Sequence, residues 1–391
     1  MSSSSISLPM AIIIGMNAII GVGIFSVPVP LAITAGPAGL LTYAFVILAV
    51  MGMALSLARL TTLYPQGGAF YTYAASWGGH YTGMLATGLY LIGLVVAMGL
   101  MSQLAGSYLS TYIQLNPFIL SIGVIALLVL LNLAGAVISQ AGQLLLIVLT
   151  ILPLAVISGL CLSKASLAHL TPFTPHGTSG IFHAIKVVIF GFFGFESIPA
   201  LFKEIHNPKK NAPRAIIITI LLVSLVYLVF SGSIILGLPT SLFTDPQLPL
   251  SHILSEAFPH LTWLADAIGW SIIITILGTL HSMIWSISRL VVDTCNKTIW
   301  LKNAFSQKSA LVALAAGTTF TCLTLRNFDL LFNLVALCIT AAFALSMISL
   351  LICKKDRTHY QISIALLGLA TSIIIIGFAV QGTIHELTLG S

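Results

Sequence analysis

The sequence predicts an all-α polytopic membrane protein. Apolar runs of about 20 residues recur along almost the whole chain, each long enough at about 1.5 Å per residue to cross a hydrocarbon core of about 30 Å. Charged residues make up only 6% of the chain, against about a quarter in soluble domains. A third observation sets two helices apart: glycine pairs interrupt them at their midpoints. With 58% hydrophobic residues and a mean hydropathy of +1.10, most helical surface must face lipid or other apolar helices, which excludes a soluble fold.

Eleven spans are expected, near residues 10–35, 38–62, 81–112, 117–138, 141–163, 182–202, 213–238, 263–290, 309–325, 328–352 and 361–381. The first follows Met1–Pro9, which has no positive n-region and no small-residue cleavage site, so that span is expected to be a retained helix rather than a signal peptide. The connection 63–79 interleaves Tyr64, Phe70, Tyr71, Tyr73 and Trp77 with Pro65, Gly67 and Gly68, and reads as an interfacial or re-entrant segment, either a plain anchor or a gate. Between the sixth and seventh spans, Asn207-Pro208 makes a turn, Asn211 is expected to cap, and Pro213 to sit in the first turn of the next helix. Between the seventh and eighth, Leu250, Ile253, Leu254, Ala257 and Phe258 fall at helical spacing with Ser251 as the expected cap, a short amphipathic helix on the outer face. No long linker divides the chain, so residues 1–391 read as a single domain.

Lys and Arg set the orientation. With the N-terminus inside, Arg59, Lys203, Lys209, Lys210, Arg214, Arg289, Lys297, Lys302, Lys308, Lys354, Lys355 and Arg357 are cytoplasmic and only Lys164, Lys186 and Arg326 are outside, 12 against 3 of the 15. The C-terminus is then outside. The net charge of +6 is thus a topology signal in short loops, and no basic tail or aromatic-interleaved patch suggests nucleic acid. Cys161, Cys295, Cys322, Cys338 and Cys353 have no paired spacing and read as free thiols. His169, His176 and His183 recur every seven residues, but Pro172, Pro175 and Gly177 prevent one continuous helix, so no metal site is implied.

The interruptions are Asn17-Ala18-Ile19-Ile20-Gly21-Val22-Gly23-Ile24-Phe25 in span one and Phe190-Gly191-Phe192-Phe193-Gly194-Phe195-Glu196-Ser197 in span six. Hydrocarbon tolerates an opened backbone only where the freed N–H and C=O groups meet protein, water or ligand. The second half-helix would present N–H groups with a positive dipole and the first half free carbonyls, a match for a zwitterion. The bland alternative is close helix packing by small residues. Spans one and six are five apart, the arrangement that two inverted five-helix repeats put at their interface.

Glu196 is the one acidic residue deep in a span, where an ionised carboxylate costs about 2.5–3.5 kcal/mol. It reads as a proton-coupling or conformation-sensing group, or as a structural acceptor. His281 in span eight reads as a titrating group or as a satisfied buried imidazole.

Five segments in order resemble the amino acid–polyamine–organocation superfamily of permeases, in the branch of basic amino-acid and polyamine antiporters, over about residues 10–355. They are Gly21-Val22-Gly23-Ile24-Phe25; Tyr64-Pro65-Gln66-Gly67-Gly68-Ala69-Phe70; Gly194-Phe195-Glu196-Ser197; Asn207-Pro208-Lys209-Lys210-Asn211-Ala212-Pro213-Arg214-Ala215; and Ser288-Arg289. The resemblance implies a LeuT-like fold, with repeat one at about 10–163, repeat two at about 182–352 and an extra helix at about 361–381. Members commonly have twelve helices, so one C-terminal helix is expected to be missing.

By the family pattern the substrate carboxylate would meet N–H groups around Val22, Gly23 and Ile24, and its ammonium carbonyls near Ile19, Phe190 and Phe193, with Phe190 also where some antiporters place an aromatic gate. Gly21, Gly191 and Gly194 complete the expected substrate-binding set, and Glu196, Phe190, His281 and Thr150 are the coupling or gating candidates. Some proton-coupled relatives carry a lysine in helix five where this chain has Thr150, which shifts the expected coupling to exchange or to Glu196. No metal or other cofactor is expected. The expected partners are an amino acid or amine and the lipid bilayer of a bacterial inner membrane.

The function that follows is a secondary transporter of amino acids or related amines working by alternating access, not an enzyme. No phosphate-binding loop, HExxH or GxSxG is present in the sequence. A nontransporting amino-acid sensor of the same fold is the alternative, a membrane-embedded enzyme a weaker one, and a channel, lacking charge rings or a filter loop, weaker still.

Overall fold

Where the sequence predicts its first span, the computed structural model has three helical pieces: α1 (Leu8–Ile19), α2 (Gly23–Ser26) and α3 (Pro28–Ala35). The structure describes residues 5–245, 249–298, 302–325, 327–352 and 358–389. Arg326, Cys353, Lys354, Lys355 and Arg357 lie outside the described residues, as do the side chains of Lys186 and Phe190. Ser7 caps α1 by accepting from the Met10 N–H at 3.4 Å, and Pro28 starts α3, where its missing N–H costs nothing.

The chain continues through α4 (Gly39–Leu63), α5 (Ala69–Ser110), α6 (Pro117–Leu133) and α7 (Ala136–Ser163). The sixth span is α8 (Gly177–Ile189), a 3₁₀ turn at Phe190–Phe192, and α9 (Ser197–Ala200). Then come α10 (Pro208–Gly237), α11 (Leu250–Ala257), α12 (Leu264–Lys297), α13 (Gln307–Thr324), α14 (Phe328–Ile352) and α15 (His359–Leu389). Among the described residues, seven helical stretches are long and apolar enough to cross a membrane unaided. The other four expected spans are the two broken ones, the 17-residue α6 and the 18-residue α13.

The structure fills in one local expectation and corrects two. The aromatic connection after α4 is helical from Ala69, with a break at Gly79 (φ 75°, ψ −170°), and is anchored by the Trp77 indole N–H on the Leu345 carbonyl at 2.8 Å. Helix α10 starts at Pro208 with Asn207 at its N-cap, so Asn211 lies inside it and donates back to the His206 carbonyl at 2.5 Å, and Pro213 is beyond the first turn. The amphipathic α11 forms as expected, but Pro249 precedes it and Ser251 is internal. A proline with fixed φ replaces the side-chain cap in starting the helix.

Helix α1 is held among α7, α10 and α12, while α5 packs on α6, α12, α13 and α14, and α15 lies against α14 and α4. Leu48, Leu130, Phe320 and Ile373 are more than 60% exposed on the outside of this bundle, where lipid is the only solvent that suits them. One end of the molecule carries charge. There Lys203 pairs with Asp293 at 2.7 Å, Arg289 pairs with Glu204, and Lys297 donates to the Gly67 carbonyl and the Thr72 hydroxyl. Ile6 and Ile205 join in a parallel bridge, Ile6 N–H to Glu204 C=O and His206 N–H to Ile6 C=O, both at 2.8 Å. At the opposite end Lys164 donates to the Ala257 carbonyl, 4.3 Å from the centre of the Phe258 ring.

Candidate functional site

The two interruptions lie against each other. A side-chain Cβ built on Gly23 would stand 3.2 Å from the Gly191 Cα, and one on Gly194 would stand 2.5 Å from the Ala18 carbonyl carbon and 2.8 Å from Ile19 N. Gly194 also adopts φ +130°, which a residue with Cβ rarely takes. Sequence chemistry therefore dictates the geometry: bare α-carbons let two opened backbones touch.

Hydroxyls from two neighbouring helices stand at the carbonyls the breaks release. Tyr227 of α10, buried, has its OH 2.7 Å from the Gly191 carbonyl and 3.1 Å from that of Ile19, so one proton serves the two breaks in turn. Thr279 of α12 stands 2.9 Å from the Asn17 carbonyl, 3.1 Å from that of Ile20 and 3.2 Å from that of Thr275. The Ile19 carbonyl also accepts from the Gly21 N–H at 2.8 Å. Among the described residues the N–H groups of Val22 and Gly23 meet no backbone carbonyl, and that of Ile24 reaches Gly21 only at 3.4 Å. These donors head α2, at the positive end of its dipole. Donors and acceptors thus lie a few ångströms apart around one point.

Side chains complete the lining. Met101 of α5 reaches to 3.5 Å from the Cβ position of Gly21. Phe193 is half-buried, with its ring centre 6.4 Å from that of Phe343 on α14, which also meets Phe195 at 5.5 Å. Phe343 is fully buried. Glu196, 1% exposed, accepts from the Gly194 N–H through Oε2 at 2.8 Å while its Oε1 has no hydrogen-bond partner among the described residues. One oxygen thus braces the break and the other is left to spare.

Ile19, Gly21, Val22, Gly23, Ile24, Gly191, Phe193 and Gly194 lie at the paired breaks, with Glu196 bonded to the Gly194 N–H. His281 and Thr150 do not. Thr150, buried on α7, meets the Thr275 hydroxyl at 3.5 Å. His281 bonds Asn132 of α6 and Ser139 of α7. The sequence reading did not single out Tyr227, Thr279, Phe343 or the Asn17–Gln143 pair, in which Asn17 Nδ2 donates to Gln143 Oε1 at 2.6 Å and to its carbonyl at 2.8 Å. A polar amide inside an apolar span was the available signal for Asn17 and Gln143. Nothing in the local sequence marks Tyr227, whose role depends on where α10 packs.

Outside the spans, burial pushes the Glu204 carboxyl above its ordinary value, and the Arg289 guanidinium and the Trp285 indole pull it part of the way back. Among the described residues no group of three or more His, Cys, Asp or Glu converges to hold a metal ion.

Residues 6–384 match the family model described as amino acid permease. The branched-chain amino acid permease of Bacillus subtilis is 25% identical over 309 residues, covering 71% of this chain and 64% of that one, so this chain spans under two-thirds of the relative's length. The crystal structure of MhsT in complex with L-phenylalanine superposes with a TM-score of 0.68 at 14% identity, covering 96% of this chain and 98% of that one. That of the nucleobase-cation-symport transporter Mhp1 gives 0.67 at 12%, covering 97% and 92%. At these identities the two structures speak for the fold alone, which is the LeuT-like one.

Proposed function

The chain belongs to the amino acid permease family, an integral membrane family, and from that premise we propose that it is a secondary transporter which carries amino acids by alternating access around the paired breaks of the first and sixth spans. The observation that carries this reading is the contact of Gly23 with Gly191 and of Gly194 with Ala18 and Ile19. It sets the Val22 and Gly23 N–H groups beside the carbonyls of Ile19 and Gly191. A carboxylate and an ammonium on one carbon fit that pairing, and backbone alone recognises what all amino acids share.

Met101, Phe193 and Phe343 make the lining apolar and favour an uncharged, apolar side chain on the cargo. The unpartnered Oε1 of Glu196 favours a second reading, in which a cationic side chain or a polyamine is taken. The charged end, with Lys203, Lys209, Lys210, Arg289 and Lys297, is taken as cytoplasmic, the membrane being a bacterial plasma membrane and the C-terminus outside. Two inverted repeats, at about 10–163 and 182–352, are the moving halves, and the Glu204–Arg289 and Lys203–Asp293 pairs close the cytoplasmic side in this state.

The test is uptake and exchange by proteoliposomes against the twenty amino acids, putrescine and spermidine, with thermal shift of the purified protein run alongside at two pH values. Uptake of apolar amino acids supports the first reading, and uptake of arginine or amines the second. Thermal shifts with neither uptake nor exchange turn the protein into a sensor, and no response to any compound removes the reading.

A further inference from the structure

Two buried polar clusters, joined by neighbouring residues of α12, lie between the break in the first span and a cavity at the charged end, and the imidazole of His281 lies in the second. Asn17, the last polar residue before the break, donates to Gln143 Oε1 at 2.6 Å, and Ser282 donates to the same oxygen at 2.8 Å. The next residue along α12 is His281, fully buried, with Nδ1 3.0 Å from Asn132 Nδ2 and Nε2 3.1 Å from the Ser139 hydroxyl and 3.2 Å from its carbonyl. The amide nitrogen of Asn132 can only donate, so Nδ1 is the accepting nitrogen and Nε2 carries the hydrogen. Gly142 lies beside the ring, a Cβ there being in ordinary contact with Nε2 at 3.4 Å.

Both residues that hold the ring also line a cavity of about 180 Å³. Trp285, Arg289, Gln307, Lys308 and the turn at Gly135 complete its wall. Gly135 and Lys308 are exposed, so the cavity opens at the charged end, and it has room for water. A water there is one hydrogen bond from His281 through either Asn132 or Ser139. The Gln143 Nε2, fully buried, has no partner among the described residues, an unused donor midway between imidazole and break.

We propose that His281 holds the proton that moves with the cargo and hands it to the charged-end cavity. The inference rests on the transport reading above. A hydronium that enters with the cargo from the far side gives its proton to the lone pair of Nδ1 and leaves as water, giving an imidazolium, and the Asn132 amide must turn its oxygen to that nitrogen. This withdraws the acceptor that the Ser139 hydroxyl uses at 3.4 Å and loosens the wall toward the cavity. The proton then leaves to a cavity water, and the ring returns to its neutral form with no other bond made or broken.

The charge environment on every packed element is sparse. Helices α1, α6 and α7 carry no Asp, Glu, Lys, Arg or His, and Cys161 is at the far end of α7. On α13 the groups are Lys308, across the cavity, and Cys322. On α12 they are Arg289, paired with Glu204, with Asp293, Cys295 and Lys297 farther along and Asp266 at the other end. Helix α5 contributes His80 and tyrosines, α11 has His252 and Glu256, and Glu196 heads α9. No carboxylate in this set bonds the ring.

The test uses the whole protein in proteoliposomes with radiolabelled L-leucine, L-phenylalanine and L-arginine as a mixed cargo, under an imposed pH gradient and in gradient-free exchange. His281→Gln is expected to keep exchange and to lose gradient-driven accumulation at least tenfold. Asn132→Asp, which sets a carboxylate against Nδ1, is expected to move the pH profile of accumulation upward by about one unit. Wild-type accumulation by His281→Gln, or an unmoved profile in Asn132→Asp, overturns the proposal, and the second variant decides if the first does not fold. If the wild type neither accumulates nor exchanges the mixture, the transport reading fails. Nitrogen-15 histidine spectra in lipid nanodiscs then read the ring itself, His281 being the signal that Asn132→Asp displaces. A change from neutral to doubly protonated between about pH 8 and about pH 5 supports the proposal, and a single neutral form throughout overturns it.

Discussion

Replacing Gly194 by alanine puts a methyl group where the two breaks touch. Its carbon would stand 2.5 Å from the Ala18 carbonyl carbon and 2.8 Å from Ile19 N, whereas relaxed carbon contacts lie at about 3.5–4.0 Å, so the first and sixth spans must part by about 1 Å. The backbone at φ +130° adds a strain of about 1–3 kcal/mol, and the overpacking about 1–3 kcal/mol more. A substantially destabilised but folded protein is the expected product, read as a lower melting temperature in detergent. The 1 Å parting acts separately on function. It pulls the Ile19 carbonyl away from that of Gly191, which Tyr227 now bridges, and a misplacement of that size is worth about 100-fold in a positioned site. Uptake by Gly194→Ala proteoliposomes is therefore expected to fall about 100-fold in kcat/KM, with exchange falling in parallel. A variant that melts lower yet transports with the wild-type kcat/KM refutes the reasoning, because the contact would then be packing and nothing more.

Three further substitutions probe the same molecule. Tyr227→Phe removes one hydroxyl shared by two carbonyls, worth about 1 kcal/mol or a fivefold change in cargo affinity, and binding calorimetry that finds no change would remove Tyr227 from the site. Glu196→Gln keeps an acceptor for the Gly194 N–H but loses the charge; apolar cargo should be carried nearly as before and cationic cargo lost, whereas loss of every substrate would make the residue a structural brace. Asp293→Asn breaks a pair whose Lys203 side chain is half exposed, so less than about 1 kcal/mol of stability is expected to go. The transport direction that needs the charged end open should meanwhile speed up, and equal rates in both directions would count against a closing role.

Lys209→Cys tests orientation: a membrane-impermeant maleimide should label it only after the membrane is permeabilised. As the pH falls through the raised Glu204 value that carboxyl takes up a proton, its buried charge is relieved, and its pair with Arg289 is lost. Opening of the charged end, followed by the access of a neutral quencher to the fluorescence of Trp285, the buried indole bonded to Glu204, should increase with acid and should not do so in Glu204→Gln.

The interruptions were legible because glycine pairs are costly in an apolar helix, and the five-helix spacing followed from hydropathy alone. What the sequence could not show was which neighbours complete the breaks. Tyr227 and Thr279 are ordinary residues of their helices, and they matter only because α10 and α12 flank α1. The capping errors at Asn211 and Ser251 have one cause: a proline at the helix start, with φ already set, took the place given to a polar cap. His281 is buried among α6, α7 and α12, bonded to Asn132 and Ser139 instead of the breaks, and that placement is a fact of helix packing.

The hydroxyls at the breaks also bear on how tightly cargo should bind. In this state the carbonyls of Ile19 and Gly191 share the Tyr227 proton, and those of Asn17 and Ile20 share that of Thr279. An arriving ammonium therefore exchanges partners with Tyr227 rather than filling an empty acceptor. An exchanged bond contributes about 0.5–1.5 kcal/mol against about 4–6 for one made from nothing in an apolar medium. Among the described residues the Val22 and Gly23 N–H groups, with Glu196 Oε1 beside them, offer bonds that the protein does not already make. An affinity between about 1 µM and about 1 mM is the expected result. A carrier gains from that weakness, since cargo held much more tightly would leave too slowly on the far side. Tyr227→Phe then separates two consequences: if the hydroxyl chiefly competes with the ammonium, affinity rises and turnover falls, and if it chiefly aligns the carbonyls, both fall together.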